Sequence, residues 1–180
     1  DREGAFVEAV ILEPVMGEGN PGMAMDRAFY DAARVLTRER EGLLIIDSIQ
    51  AGLRAHGCLS IVDYPGFEDA AAPDAETFSK ALNAGQYPLS VLAASGRAAD
   101  LYRTGIYGNT MTTNPRAMDV AVEVLDSLTT EIRANIRESG VEKADKLQAL
   151  AAELDGPITG VQETGKLLRC AHDPASKTHS

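Results

Sequence analysis

Leu43-Leu44-Ile45-Ile46-Asp47, an apolar run that stops on a carboxylate, decides the fold. Four consecutive apolar residues leave no solvent-facing position, so the segment reads as a strand buried on both faces, as in a parallel sheet. Upstream, Ala5 to Leu12 (AFVEAVIL) is a second such run, ending at Glu13-Pro14. Between the two, residues 26–41 carry apolar side chains at helical spacing. They predict an amphipathic helix with Ala28, Phe29, Ala32, Val35 and Leu36 inward and Gly42 as its C-terminal stop. Strand, helix, strand implies a parallel sheet covered by helices. In such sheets ligands sit at the carboxyl ends of the strands, which draws attention to Glu13, Asp47 and Lys80.

Downstream of Asp47 the pattern continues more loosely. Gly52 to Pro73 is polar and irregular, and Glu76 to Ser79 reads as a short strand running into Lys80. Pro88 to Ala93 predicts the next strand, Ser95 to Tyr102 a helix, and Tyr107 to Pro115 a polar loop. Two helices follow, over 116–127 (Met118, Val122 and Leu125 inward) and 130–154 (Ile132, Ile136, Leu147, Leu150 and Leu154 inward). Gly140 weakens the second of these. Ile158 to Val161 and Leu167 to Ala171 read as strands. The expected fold is α/β, a mostly parallel sheet with helices on both faces, plus the start of a smaller C-terminal α/β unit. The expected division is 1–128 for the large unit, 129–173 for a linking helix and the start of the small one, and 174–180 for a disordered tail. A start at Asp1 without Met and a loose end suggest a piece of a longer protein.

Composition narrows the function. The chain has 180 residues, 44 % hydrophobic and 24 % charged, with a net charge of −10 and a pI of about 4.7. An acidic chain without a basic patch does not read as a nucleic-acid binder, and no apolar run approaches the ~20 residues of a membrane span. Cys58 and Cys170 are far apart and His56, His172 and His179 lack metal-ligand spacing. No metal site is expected. A reducing compartment fits, the cytoplasm first and the mitochondrial matrix as the alternative.

Asp47 and Lys80 each end a strand, so an acid and an amine share one sheet edge. The plain alternative is a simple ion pair or two solvated groups, since charged residues are mostly exposed. The surrounding sequence favours chemistry. Asp47-Ser48-Ile49-Gln50-Ala51-Gly52-Leu53-Arg54, Thr77-Phe78-Ser79-Lys80-Ala81-Leu82-Asn83-Ala84-Gly85 and Gly108-Asn109-Thr110 occur in that order. Together they resemble the class III, fold-type I aminotransferases. Glu13-Pro14-Val15-Met16-Gly17-Glu18-Gly19 resembles that family's EPxxGEG turn, and Asn114-Pro115 the Asn-Pro that opens its long helix. Ile49-Gln50-Ala51-Gly52-Leu53 and Gly85-Gln86-Tyr87-Pro88-Leu89-Ser90-Val91 look most similar to the ornithine-type members. The resemblance covers about residues 5 to 170.

The resemblance implies pyridoxal 5'-phosphate as cofactor, and transamination from an amino acid or an ornithine-like ω-amine to a 2-oxo acid. Lys80 would hold the cofactor as a Schiff base and then move the substrate's proton. Asp47 would face the pyridine nitrogen and keep it protonated. Gln50 would bond the phenolic oxygen. Thr110 would donate to the phosphate across a homodimer interface, and Glu18 would line the substrate pocket. The bland readings are a turn-closing Gln50, a Thr110 satisfied by its own loop and a solvated Glu18. His56 and Cys58 read as structural or incidental. Ser48 stands where the family usually has a glutamate, and Met111-Thr112-Thr113 where it has an aromatic and two glycines. The resemblance puts the phosphate turn and stacking aromatic before Asp1, and the arginine for the substrate carboxylate after Ser180.

Two rival readings remain. Gly17-Glu18-Gly19-Asn20-Pro21-Gly22 fits G-x-G-x-x-G between a strand and a helix, with Asp47 ending the next strand. It suggests a dinucleotide-binding oxidoreductase. Against this, Glu18 puts negative charge where a pyrophosphate would sit, Pro21 removes a donor, and residues 13–16 separate the turn from its strand. The other rival is a non-catalytic, aminotransferase-like fragment.

Overall fold

The computed structural model describes residues 4–106, 108, 112–154 and 158–172. A four-stranded sheet has the order β1-β2-β3-β4, with β1 at Ala9–Leu12, β2 at Leu43–Asp47, β3 at Ala75–Phe78 and β4 at Val91–Ala94. β1, β2 and β3 run parallel, with Leu12 opposite Ile46 and Asp47 opposite Thr77. The carboxyl ends of β2 and β3 therefore share one edge. β4 is antiparallel to β3, with Val91 opposite Phe78. The connection 79–90 holds only a 3₁₀ turn at Lys80–Asn83. Twelve residues without an α-helix are short for a parallel crossover, and β4 returns antiparallel beside β3. The α/β architecture with flanking helices agrees with expectation, and the last strand makes the sheet mixed.

Helix α1 (Arg27–Glu39) starts where the Asp26 carboxylate accepts from the N–H groups of Ala28 (2.7 Å) and Phe29 (3.2 Å), satisfying two orphan donors. Its end is a Schellman turn. The left-handed residue is Glu41 (φ 55°), not Gly42, and the Gly42 N–H closes on the Thr37 carbonyl at 2.9 Å. The buried face also differs from expectation. Tyr30, Arg34 and Thr37 face inward, while Phe29, Val35 and Leu36 are at least half exposed. Long-range partners select that face. The Tyr30 hydroxyl donates to the Ala71 carbonyl at 2.7 Å and its ring meets Phe67 edge-on. Arg34 makes a two-point bond to Asp74 at 2.5 and 3.1 Å. Leu44 and Ile46 of β2 pack with Tyr30, Val15, Ala51, Ile61 and Tyr64 as the main core.

After the short helix α2 (Gly96–Asp100), α3 (Pro115–Asp126) is capped by Asn114 and α4 (Thr130–Glu153) by Thr129. In both long helices the small residues face inward. Ala117 and Ala121 are buried in α3 and Gly140 and Ala144 in α4. Met118, Val122 and Leu125 of α3, and Ile132, Leu150 and Leu154 of α4, are exposed, while Ile136 and Leu147 are half-buried. Ala121 joins Phe78 and Leu82 in a second core cluster beside the Lys80 turn. β5 (Ile158–Thr164) and β6 (Leu167–His172) form an antiparallel hairpin, a sheet of its own packed on α4.

Backbone crowding explains Gly140. A Cβ there would lie 2.1 Å from the Gly165 carbonyl oxygen, and one on Gly165 (φ +60°) would lie 1.4 Å from that of Ala55. Helix, hairpin turn and loop thus stack backbone on backbone, and the Lys166 N–H donates to Arg54 O at 2.8 Å. Gly165→Ala is expected to cost about 2 kcal/mol by overpacking, read as a lower urea midpoint. An unchanged midpoint would show that the hairpin does not dock here.

Candidate active site

The β2–β3 edge is built from Asp47 outward. One carboxylate oxygen of Asp47 accepts from the Ile49 N–H and from the Thr77 hydroxyl, both at 3.1 Å. The first bond is an Asx turn that reverses the chain after the strand. The second comes from the residue opposite on β3 and fixes the carboxylate on one face of the sheet. The other oxygen has no hydrogen bond among the described residues. It is therefore an acceptor left open at the edge.

Gln50 lies one turn further on. Arg54 donates through Nε to the Gln50 carbonyl at 2.8 Å and through Nη2 to the Gln50 side-chain oxygen. Burial pushes the Arg54 guanidinium down from its ordinary pKa. With its oxygen engaged, the Gln50 amide presents its NH₂ group as a donor. Gly17 makes room for it, because a Cβ there would fall 2.2 Å from Gln50 Cγ. The Gly17 N–H is held by Glu13 Oε2 at 2.7 Å, so the 13–19 turn rests on Gln50.

Lys80 follows β3 at the same edge. It is exposed, has no ion pair among the described residues, and begins the 3₁₀ turn with φ 44°. A left-handed lysine costs roughly 1–2 kcal/mol, and such strain collects at functional sites. Three residues separate it from Thr77, a span of at most ~11 Å. Phe78 and Leu82 anchor the turn in the core on either side of it. The three parts expected to meet, Asp47, Gln50 and Lys80, thus belong to one edge.

Glu18 sits elsewhere on the rim. It is exposed at the tip of the 15–24 loop, which the Val15–Ala24 bridge closes, and its side chain shows no partner among the described residues. Asn20 beside it takes bonds from Arg169 (2.6 Å) and Gln162 (3.4 Å) of the hairpin. Thr110 lies outside the described residues, as do Tyr107, Asn109 and Met111 of its loop and residues 174–180. His56 and Cys58 behave structurally. His56 meets Tyr64 edge-on at 4.7 Å, burial lowers its pKa, and burial raises that of the Cys58 thiol.

The geometry disposes of the dinucleotide alternative. Residues 15–24 fold back as a loop instead of turning directly from strand into helix. Asp26 itself occupies the amides at the start of α1, where a pyrophosphate would bind.

Sequence reading missed two residues here. Thr77 orients Asp47. Glu76 is 4 % exposed and accepts from the Ser60 hydroxyl (2.6 Å), the Ile61 N–H (3.1 Å) and the Ser48 hydroxyl. Burial raises its pKa, opposed by those three bonds. A glutamate inside a buried strand, opposite a serine-bearing strand end, was the available signal. Among the described residues no group of three His, Cys, Asp or Glu could hold a metal, and no helix is long and apolar enough to cross a membrane.

Comparison with known proteins places this edge in context. Residues 2–178 match the family model described as aminotransferase class-III. The chain is 32 % identical over 175 residues to the ornithine aminotransferase of Saccharomyces cerevisiae, covering 96 % of this chain and 40 % of that protein. It is 31 % identical over 166 residues to the acetylornithine aminotransferase of Xylella fastidiosa, covering 92 % and 39 %. A structure of the Toxoplasma gondii ornithine aminotransferase, with PLP at partial occupancy in its active site, matches with a TM-score of 0.76 and 30 % identity over 92 % of this chain and 38 % of that one. The chain thus spans about two fifths of the length of these relatives.

Proposed function

The chain belongs to the class-III aminotransferase family, and from that membership we propose that this protein is a pyridoxal-phosphate-dependent transaminase. It moves an amino group from an amino acid, or from an ω-amine such as ornithine, to a 2-oxo acid. The observation that carries the reading is the shared edge. Asp47 ends β2, Lys80 opens the turn just past the end of the neighbouring parallel strand β3, and Thr77 of β3 holds the acid.

The residues present fit the cofactor. The open oxygen of Asp47 suits a protonated ring nitrogen, and the free NH₂ of Gln50 suits a phenolic oxygen. The amine of Lys80, unpaired among the described residues, suits an aldehyde carbon. When bound, pyridoxal phosphate supplies an electron sink for the carbanion left after proton removal. A carboxylate at Asp47 would hold the protonated ring nitrogen. Lys80 would be the amine that holds the cofactor and, when free, the general base and acid that removes the substrate's proton and returns it. Glu18, exposed on the rim, meets the cationic end of an ornithine-like substrate. Thr110 would donate to the phosphate of the cofactor held by the partner subunit of a homodimer.

The direct test supplies ornithine, a 2-oxo acid and the cofactor, and measures the new amino acid. Product that appears only with all three supports the reading, and no product from the whole protein with any amine donor contradicts it. Asp47→Asn sharpens the test. An amide still accepts from Ile49 and Thr77 through its oxygen, but it brings no charge to the ring. Turnover is expected to fall roughly 10²–10³-fold, the scale of losing one preorganised electrostatic partner, with the fold's melting temperature unchanged. Wild-type turnover in this variant would remove Asp47 from the site.

A further inference from the structure

β3 grips the end of β2 with two consecutive residues. Thr77 holds the Asp47 carboxylate on one face of the sheet, and Glu76 receives the hydroxyl of Ser48 on the other. Neighbouring residues of a strand point to opposite faces, so Asp47-Ser48 is clamped from both sides. Ser48 is fully buried. Its carbonyl also accepts from the Gly52 N–H at 2.8 Å, which closes the turn carrying Gln50.

Glu76 does more than hold one serine. Its two oxygens also take the Ser60 hydroxyl and the Ile61 N–H, tying the long 52–73 connection to the strand that leads into Lys80. An apolar residue at position 76 would fill this core face without desolvating a charge. The acid therefore serves something other than packing. The titratable groups that feel its charge are Asp63, Tyr64 and Tyr30.

We propose that Glu76 is a positioning residue: through Ser48 it fixes the Asp47–Gln50 turn relative to Lys80. The inference rests on the pyridoxal-phosphate reading of the site, and it assigns Glu76 no contact with substrate or cofactor. Loss of the clamp frees the turn, so the ring-binding groups must be ordered again when the cofactor arrives.

The test uses the whole chain with Ser48→Ala, Glu76→Ala and Glu76→Gln. Amide hydrogen exchange is read at Ile49, whose N–H reports the Asp47 turn, and cofactor affinity is read by absorbance titration with pyridoxal phosphate. In Ser48→Ala, Ile49 exchange and the cofactor Kd should each rise about tenfold, the worth of one hydrogen bond to a charged acceptor. Amides of Leu44 to Ile46 should keep their wild-type rates. Glu76→Gln still accepts from Ser60 or Ile61 and donates to Ser48, so it should stay within about threefold of wild type. Glu76→Ala should behave at least as badly as Ser48→Ala, and if it does not fold, Ser48→Ala decides alone. Unchanged Ile49 exchange in Ser48→Ala, or a rise spread evenly over β2, overturns the proposal. A wild-type chain that takes up no cofactor counts against the functional reading, while the exchange result still decides the clamp.

Discussion

Lys80→Ala should abolish amino-group transfer, with turnover lowered by at least roughly 10²–10⁴-fold, the contribution of positioned proton transfer alone. No other described side chain at the β2–β3 edge can replace the amine. Asp47 is an acceptor when ionised, and Arg54 keeps its proton and is bound to Gln50. The fold should not notice the change. The lysine side chain is exposed and unpaired among the described residues, so its removal breaks no hydrogen bond or ion pair there and the melting temperature should hold. Lys80→Gly separates the two properties further. Glycine adopts φ 44° without the penalty a side chain suffers. That variant should be as inactive as Lys80→Ala but no less stable than it. Turnover is followed as product amino acid and stability by thermal melting. Retained turnover in either variant would refute the assignment.

Asp74→Ala should cost the largest share of stability, about 4 kcal/mol, the scale for removing one partner of a buried pair. Asp74 takes two bonds from Arg34, whose side chain is 11 % exposed, and a third from the Leu44 N–H at 2.8 Å. Alanine would leave the guanidinium uncompensated in the core, and Arg34 Nε already lacks a partner among the described residues. It would also release the start of β2, the strand that ends in Asp47. Acid should reproduce part of this loss. Burial alone would raise the Asp74 pKa, but the Arg34 and Leu44 bonds and the Arg34 and Arg97 charges outweigh it and hold the carboxyl below its ordinary 3.8. A depressed folded-state pKa gives stability that is present above 3.8 and disappears as pH falls through the folded value. Wild type and Asp74→Ala should therefore converge in urea stability at strongly acid pH. A constant difference down to that pH would mean the pair is not the cause.

The sheet was legible because β1 and β2 are nearly unbroken apolar runs. β1 is nonetheless shorter than its run and is not buried on both faces: Ile11 is 64 % exposed, and Phe6 and Val7 before the strand are exposed as well. Site positions followed from the same rule. Asp47 and Lys80 each interrupt or follow a strand, so their common edge could be read without knowing the register. What escaped was set by contacts far apart in the chain. The face of α1 is chosen by Ala71 and Asp74, some forty residues away, so an apolar stripe containing Phe29 and Leu36 pointed the wrong way. In α3 and α4 the contacts are made by Ala117, Ala121, Gly140 and Ala144. Close backbone approach rewards small side chains, which a hydrophobic pattern overlooks. The direction of β4 depended on the short return after Lys80. Thr77 and Glu76 joined the site only through the register of β3 against β2, and no spacing in the sequence encodes a register.

The central claim is that the amine at position 80 is the one that bonds the cofactor. The chain has four other lysines to compete with it, Lys143, Lys146, Lys166 and Lys177. The protein should be loaded with pyridoxal phosphate, reduced with borohydride, digested and mapped by peptide mass spectrometry. A single pyridoxyl adduct on the peptide bearing Lys80 is the expected result. An adduct on any of the other four, with Lys80 unmodified, would contradict the account.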